Sequence, residues 1–544
     1  MKAVASLLAL AVLALALGRP AEAGDKPDPR ALREAWGPCE RMLSDPKTPV
    51  DEVVKQVELL NGLVDYKTAK ALLAYFDACN EAWDSKAVDR VGRQKEGDRP
   101  FESYKIAKAI VEVVRSMKYP DEALEFEKDI QNTKEYSLRV RMAMLDAVAN
   151  CTGDERCVKL LVDLAKSPAA DADMRVLALG LLKKHASAPP VVDALLEALR
   201  DRSWRIRDAS IEALLEAPTA EKDRIIMAMI NALAAETGKL RKTLADALRT
   251  LTGADLGTDA DAWIDWFKEK KREEQGLPPK SGKGDKGTRV RVFETETFSD
   301  RYVFLIDCSI SMTKKITDED KAKLQKSITS GPGDDKDKRR PLDWSKINCK
   351  LDLAREEMIR SLEVMDPERT RFTIVSFADV MTVWKQELVP TDAKNIEDAA
   401  GWLRALKGTN RTNVYGALDA TFDLCEKLAG VEVDKRKGDK PKDGKVVTGP
   451  HKDDSLPDTI FMYTDGFATT GKYGGDDKGW AKYSQEEKTR MYTAIMAHML
   501  DEVVERNRVS RLTVNTVGVG NPQDNTNLGA LARRCGGKYV SIGR

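Results

Sequence analysis

Asp307, Ser309 and Ser311 stand at alternate positions directly after the apolar run YVFLI at 302–306. Side chains two apart in an extended chain share a face, so this spacing aims one acid and two hydroxyl oxygens at one point. Two further stretches offer the same kind of atom: Thr412 precedes a helical pattern in KGTNRTNVYGAL, and Asp465 follows an apolar run in FMYTDGF. Oxygen donors of this type are hard ligands and suit Mg²⁺ or Mn²⁺ better than a soft metal. The competing reading is that the same residues only cap helix N-termini and tie loops together. Catalysis has less support. The chain has three histidines, His185 in a helical repeat, His451 in a charged loop and His498 in a helix, so Ser309 has no base in view. No GxSxG, HExxH or phosphate-binding glycine motif occurs, and GVGNPQ at 518–523 does not follow the first strand as a dinucleotide fingerprint must. A hydrolase is therefore the least favoured alternative.

The elements that must position these residues follow from hydrophobic periodicity. Short apolar runs at 302–306, 371–377, 459–464, 512–519 and 538–542 alternate with helical patterns at 351–365, 414–429 and 527–535. Continuous apolar strands alternating with helices make βαβ units around a buried parallel sheet, and such sheets bind ligands at the carboxyl ends of their strands. Asp307 and Asp465 both fall at such ends.

On these residues the C-terminal half resembles a von Willebrand factor A domain with an intact metal-ion-dependent adhesion site. The family's Asp-x-Ser-x-Ser corresponds to Asp307, Ser309 and Ser311, its second-loop threonine to Thr412 in TNVYGAL, and its third-loop aspartate to Asp465 in YTDG. The resemblance spans about 295–544 and implies a Rossmann-like α/β fold holding one Mg²⁺ or Mn²⁺. It further implies Ser309, Ser311 and Thr412 as direct ligands, Asp307 and Asp465 acting largely through water, and a position left for an acidic side chain of a protein partner. Ile310 stands where many bacterial relatives have glycine. Cys308 beside Asp307 is unusual; paired with Cys349 it would staple the insertion 313–348 across the metal face. The insertions after the first strand and after Asp465 carry Trp344, Tyr473, Trp480 and Tyr483 among charges, which suits recognition loops.

The N-terminal half has a different period. From about Pro29 to Glu274 apolar residues recur at helical spacing, and four similar segments are anchored at Arg141, Arg175, Arg207 and Arg241, at intervals of 34, 32 and 34 residues. Such intervals predict stacked helix pairs, an all-α solenoid. DRSWRIRDASIEAL, with Asp201, Trp204, Arg207 and Ala209, resembles a HEAT repeat. Residues 24–134 are helical without aligning to the repeat, 135–274 are the HEAT-like solenoid, and its last helix carries Trp263 and Trp266 as apolar bulk to seal the open end. GLPPKSGKGDKG opens a linker over 275–294, after which the α/β domain runs from 295 to 544.

The chain begins with one Lys, an apolar run from Ala3 to Leu17, Gly18, Pro20 and then Ala21-Glu22-Ala23, which reads as a secretory signal peptide over 1–23. The run is shorter than the roughly 20 residues a membrane span needs. A secreted or periplasmic protein with no membrane span in its mature chain is expected. Lys plus Arg equals Asp plus Glu at 89 each, so no net field favours nucleic acid. Export makes disulfides plausible for the eight cysteines, with Cys151 and Cys157 in CTGDERC the expected pair. The sequence thus predicts a multidomain protein, an all-α solenoid followed by a Rossmann-like domain, mediating metal-dependent protein recognition or adhesion rather than catalysis. An assembly factor for an envelope complex is the alternative.

Overall fold

The computed structural model describes residues 26–84, 99–274, 290–292, 295–319, 321–322, 325, 339–409, 411–438, 456–466, 484–519 and 525–542. Residues 1–23, read above as a signal peptide, residues 275–289, His451, and Tyr473, Trp480 and Tyr483 lie outside these. By their internal contacts the residues form two units, Met1–Trp83 with Lys95–Met174, and Asp84–Gln94 with Arg175–Arg544.

The first unit is helical: α1 (Pro29–Ser44), α2 (Val50–Glu58), α3 (Tyr66–Asp84), α4 (Arg99–Arg115), α5 (Pro120–Leu124), α6 (Glu127–Ile130), α7 (Leu138–Asn150), α8 (Glu155–Lys166) and the start of α9 (Ala172–Leu182). Starts are set by local chemistry. Asp28 caps α1 ahead of Pro29, Ser137 caps α7 and Asp154 caps α8, each side chain accepting from a backbone N–H of the first turn. Val140, Met142, Met144, Leu145 and Val148 are buried on α7, which makes it a core element of this unit.

The second unit continues with α10 (Pro189–Ala198), α11 (Trp204–Leu214), α12 (Lys222–Ala235), α13 (Gly238–Thr252) and α14 (Ala260–Glu274). The four arginines that mark the repeat each occupy the fourth position of a helix, in α7, α9, α11 and α13. Each reaches the turn before the next marked helix or before α14. Arg141 pairs with Asp171 at 3.0 Å, Arg175 with Asp201 at 2.6 Å and Arg207 with Glu236 at 3.2 Å, while Arg241 donates to the Thr258 carbonyl at 3.1 and 3.0 Å. The repeated arginine thus holds a repeated turn. Trp263 is fully buried with its Nε1 donating to the Gly257 carbonyl at 2.9 Å, and Trp266 meets it edge-on, which fits a structural use of the pair.

Beyond α14 a short antiparallel strand pair, β1 (Val290–Val292) and β2 (Thr295–Thr297), straddles the boundary read between linker and α/β domain. The α/β part then runs β3 (Arg301–Asp307), α15 (Lys350–Leu362), β4 (Arg371–Phe377), β5 (Met381–Val383), β6 (Val389–Pro390), α16 (Ala393–Ala405), α17 (Val414–Gly438), β7 (Thr459–Thr464), α18 (Gln485–Ser510), β8 (Thr513–Val519), α19 (Asn525–Arg534) and β9 (Tyr539–Ile542). The sheet order is β5-β4-β3-β7-β8-β9, with β6 also on β4. Strands β3, β4, β7, β8 and β9 are parallel, whereas β5 and β6 run antiparallel to β4. Every residue of β7 is buried, as are all but the first of β3 and β4, which explains their unbroken apolar runs. Tyr302, Phe304, Phe461 and Tyr463 pack along β3 and β7, with the Phe304 and Phe461 rings stacked at 6.0 Å. The chain leaves β3 for β4 on one side and later returns to β7 on the other, so the strand order reverses at β3. Its carboxyl end is the switch point where such sheets open a crevice.

The amino-terminal ends of these strands meet the helical segment of the same unit. Arg511, which precedes β8, pairs with Asp208 at 2.5 Å and Glu212 at 2.8 Å, and Lys239 donates to its carbonyl at 2.8 Å. Arg301 at the start of β3 pairs with Asp458 at 3.2 Å and lies over the buried Trp204 ring, which Lys239 also covers. This packing explains why residues 175–274 group with the sheet rather than with the helices before them.

Among the described residues no disulfide joins the cysteines, so the expected Cys151–Cys157 bridge is not formed in this structure. Cys151 directs its thiol to the Met117 carbonyl at 3.4 Å instead of to Cys157, and burial pushes the two thiols up to about 12 and about 11. Cys308 packs into the apolar cluster under the sheet, and Cys349 is the N-cap of α15. The ends of the insertion are tied by backbone: Ile316 N–H donates to the Asn348 carbonyl at 3.0 Å and Lys315 bridges to Cys349. Trp344 is partly buried and packs against the apolar cluster.

Candidate metal centre

Strand β3 ends at Asp307, in register with Phe377 of β4, while its Ile306 is in register with Tyr463 of β7. Asp307 is fully buried, and each of its oxygens accepts one bond: Oδ1 from the Ser309 N–H at 2.8 Å and Oδ2 from the Thr464 hydroxyl at 2.6 Å. The chain turns immediately into a 3₁₀ turn at Ile310–Thr313 with Ser309 as its N-cap. The turn brings the hydroxyls of Ser309 and Ser311 to 2.9 Å of each other, and Ser311 donates to Asp465 Oδ1 at 2.9 Å. Ser311 has one proton and Asp465 receives it, so Ser309 donates to Ser311 and the bonds run in one direction toward Asp465.

The loop bearing Thr412 lies against the same end of the sheet. Thr409 N–H donates to the Cys308 carbonyl at 2.8 Å and pairs with Ser309 as an isolated parallel bridge, while Asn413 N–H donates to the Ala378 carbonyl at 3.2 Å. Thr412 is buried between these two attachments. The structure therefore links Asp307 to Ser309 by a backbone bond and joins Ser309, Ser311 and Asp465 through side chains. It holds Thr412 buried on the adjoining loop.

The donor set fits a hard divalent cation. Burial pushes Asp307 up to about 7; the bonds from Thr464 and Ser309 oppose that rise and the neighbouring Asp465 charge adds to it. A buried carboxylate beside a second one is a place where a cation is favourable. Among the described residues no group of three or more His, Cys, Asp or Glu is placed to hold a metal, because here only two donors are carboxylates and the rest are hydroxyls.

Two contributors escaped the sequence reading. Thr464 orients Asp307, and its position directly before Asp465 was the available signal. Lys350, the first residue of α15, places its ammonium 3.1 Å from Asp465 Oδ2. It is far from both motifs in sequence and had no local signal.

This parallel sheet, with its oxygen-rich cluster at the switch point, makes a Rossmann-like α/β domain similar to the von Willebrand factor A type. No protein-family model matches the chain. It is 28% identical over 76 residues to human von Willebrand factor A domain-containing protein 3B, covering 14% of this chain and 6% of that protein. It is 29% identical over 83 residues to bovine inter-alpha-trypsin inhibitor heavy chain H4, covering 15% of this chain and 9% of that protein. The chain thus spans less than a tenth of the length of either curated relative. Among solved structures it is similar to a von Willebrand factor type A protein from Catenulispora acidiphila, at 13% identity and TM-score 0.25, covering 46% of this chain and 40% of that one. A mutant of the PilB minor pilin from Streptococcus sanguinis aligns at 15% identity and TM-score 0.27, covering 45% of this chain and 57% of that one. Among the described residues no helix is long and apolar enough to cross a membrane.

Proposed function

We propose that this chain is an exported protein that recognises a protein partner through a divalent metal held at Asp307, Ser309, Ser311, Thr412 and Asp465. The observation that carries the reading is the directed chain Ser309 to Ser311 to Asp465 at the switch point of the sheet. Both serine oxygens keep lone pairs for a cation while their protons are engaged elsewhere. Asp307 supplies negative charge from beneath, and Asp465 fixes the orientation of Ser311. A bound Mg²⁺ or Mn²⁺ would offer an electrophilic position that an acidic side chain of the partner fills. The work we read from this arrangement is recognition rather than catalysis. In this reading residues 135–274 are a HEAT-like helical-repeat scaffold.

Isothermal titration of residues 24–544 with Mg²⁺ and Mn²⁺, beside Asp307→Ala, tests the reading. One site is expected, lost in the variant while the helical signal in circular dichroism is kept. Unchanged metal stoichiometry in Asp307→Ala would overturn it.

A further inference from the structure

We propose that Lys350 is a tethered cation that competes with the divalent metal for Asp465 and sets the affinity of the site; this rests on the metal reading above. Lys350 opens α15, where a positive charge meets the positive end of the helix dipole and gains nothing from the helix itself. Its favourable partner is across the site: the ammonium lies 3.1 Å from Asp465 Oδ2, with the lysine side chain 19% and the aspartate 6% exposed. The backbone beneath it is fixed. Asn348 and Cys349 donate to Asp352 Oδ2 at 3.0 and 3.2 Å, and Asn348 accepts from Ile316. The lysine therefore projects from a rigid helix start that is pinned to the far end of the serine loop.

Asp465 has both oxygens engaged, Oδ1 by Ser311 and Oδ2 by Lys350. A divalent ion drawn to the two carboxylates must share this region with a positive charge already there. At such short range and partial burial two like charges repel strongly, so the ammonium weakens metal binding unless it swings away. The serine hydroxyls alone tolerate the ion; Lys350 decides how readily it stays.

Magnesium titration of the chain and three variants tests this, with each variant's metal-free melting temperature reporting its fold. Lys350→Met keeps the apolar stem and removes the charge, so its Mg²⁺ affinity should rise by about tenfold or more. Lys350→Arg keeps the charge and should stay near the parent value. Lys346→Met removes an equal charge from a side chain 64% exposed and paired with Asp343, and should leave affinity unchanged. Equal affinity in the parent and Lys350→Met, or a weaker Lys350→Met, overturns the proposal while the metal reading stands. A gain equal in Lys346→Met and Lys350→Met also overturns it, because general charge then explains the effect. Absence of binding in every variant removes the metal reading and this proposal with it.

Discussion

Thr464 shows how much one hydroxyl can decide at the site. It is fully buried, donates to Asp307 Oδ2 at 2.6 Å and accepts from the Gly466 N–H at 3.0 Å. Replacing it by valine keeps the shape and leaves a buried carboxylate oxygen and a buried N–H without this partner. Thr464→Val should therefore lower metal-free stability by about 1–3 kcal/mol in urea unfolding. Unchanged stability would mean that water reaches Asp307 from below. At this scale Asp307 and Asp465 were legible because they sit at strand ends, where an apolar run stops and polar atoms begin, whereas Thr412 lies on a loop before a helix. Lys350 was illegible for the opposite reason. Its role depends on where a helix after a long insertion starts, and a lysine at the head of a helical pattern reads as an ordinary solvated charge.

At the scale of elements, β4 and β7 match their apolar runs residue for residue, since buried parallel strands have no alternation to blur their ends. The junction between α11 and the sheet was hidden, because the residues that make it are charged. Asp208 is 6% exposed, and although burial opposes its charge, Arg511 and Lys239 hold its carboxyl below the usual range. Arg511 itself adopts a left-handed conformation, φ 55°, to end α18 and reach across. Asp208→Ala would leave Arg511 with only the more exposed Glu212, and Lys239 with Asp458 alone to favour its charge. A loss of about 3–5 kcal/mol is expected for breaking a buried pair of this kind, read as a fall in the melting temperature of residues 175–544. A surface-like loss below about 1 kcal/mol would show the junction to be solvated.

At the scale of the whole molecule, the helical segment of residues 175–274 holds the amino-terminal ends of the strands, while the oxygen cluster proposed to take a metal lies at the carboxyl ends, so the two fall at opposite edges of one sheet. Asp300, just before β3, lets the junction be followed in solution. Gly238 opens α13 with φ +54°, and a Cβ there would come within 2.5 Å of Asp300 Oδ2, so only glycine permits this approach. Burial first, and then the Asp458 charge, push Asp300 up to about 6, against Thr237, Arg301 and Arg369, which favour its ionised form. A carboxyl with a raised folded-state pKa holds its proton more tightly in the folded protein than in the unfolded chain. Its contribution to stability is complete below about pH 4, where both states are protonated, and is lost as pH rises through about 6. Asp300→Asn should accordingly match the parent near pH 4 and exceed it above pH 6, by about 3 kcal/mol. Urea midpoints across that range measure the difference. The dependence belongs to the joined unit, because Thr237 and Gly238 supply part of the burial. In a chain beginning at residue 290, Asp300 is opened to water, and the parent and Asp300→Asn curves should run parallel. If the two curves still diverge between pH 4 and 6 there, the raised pKa arises within the α/β domain and the helical segment is not what buries Asp300.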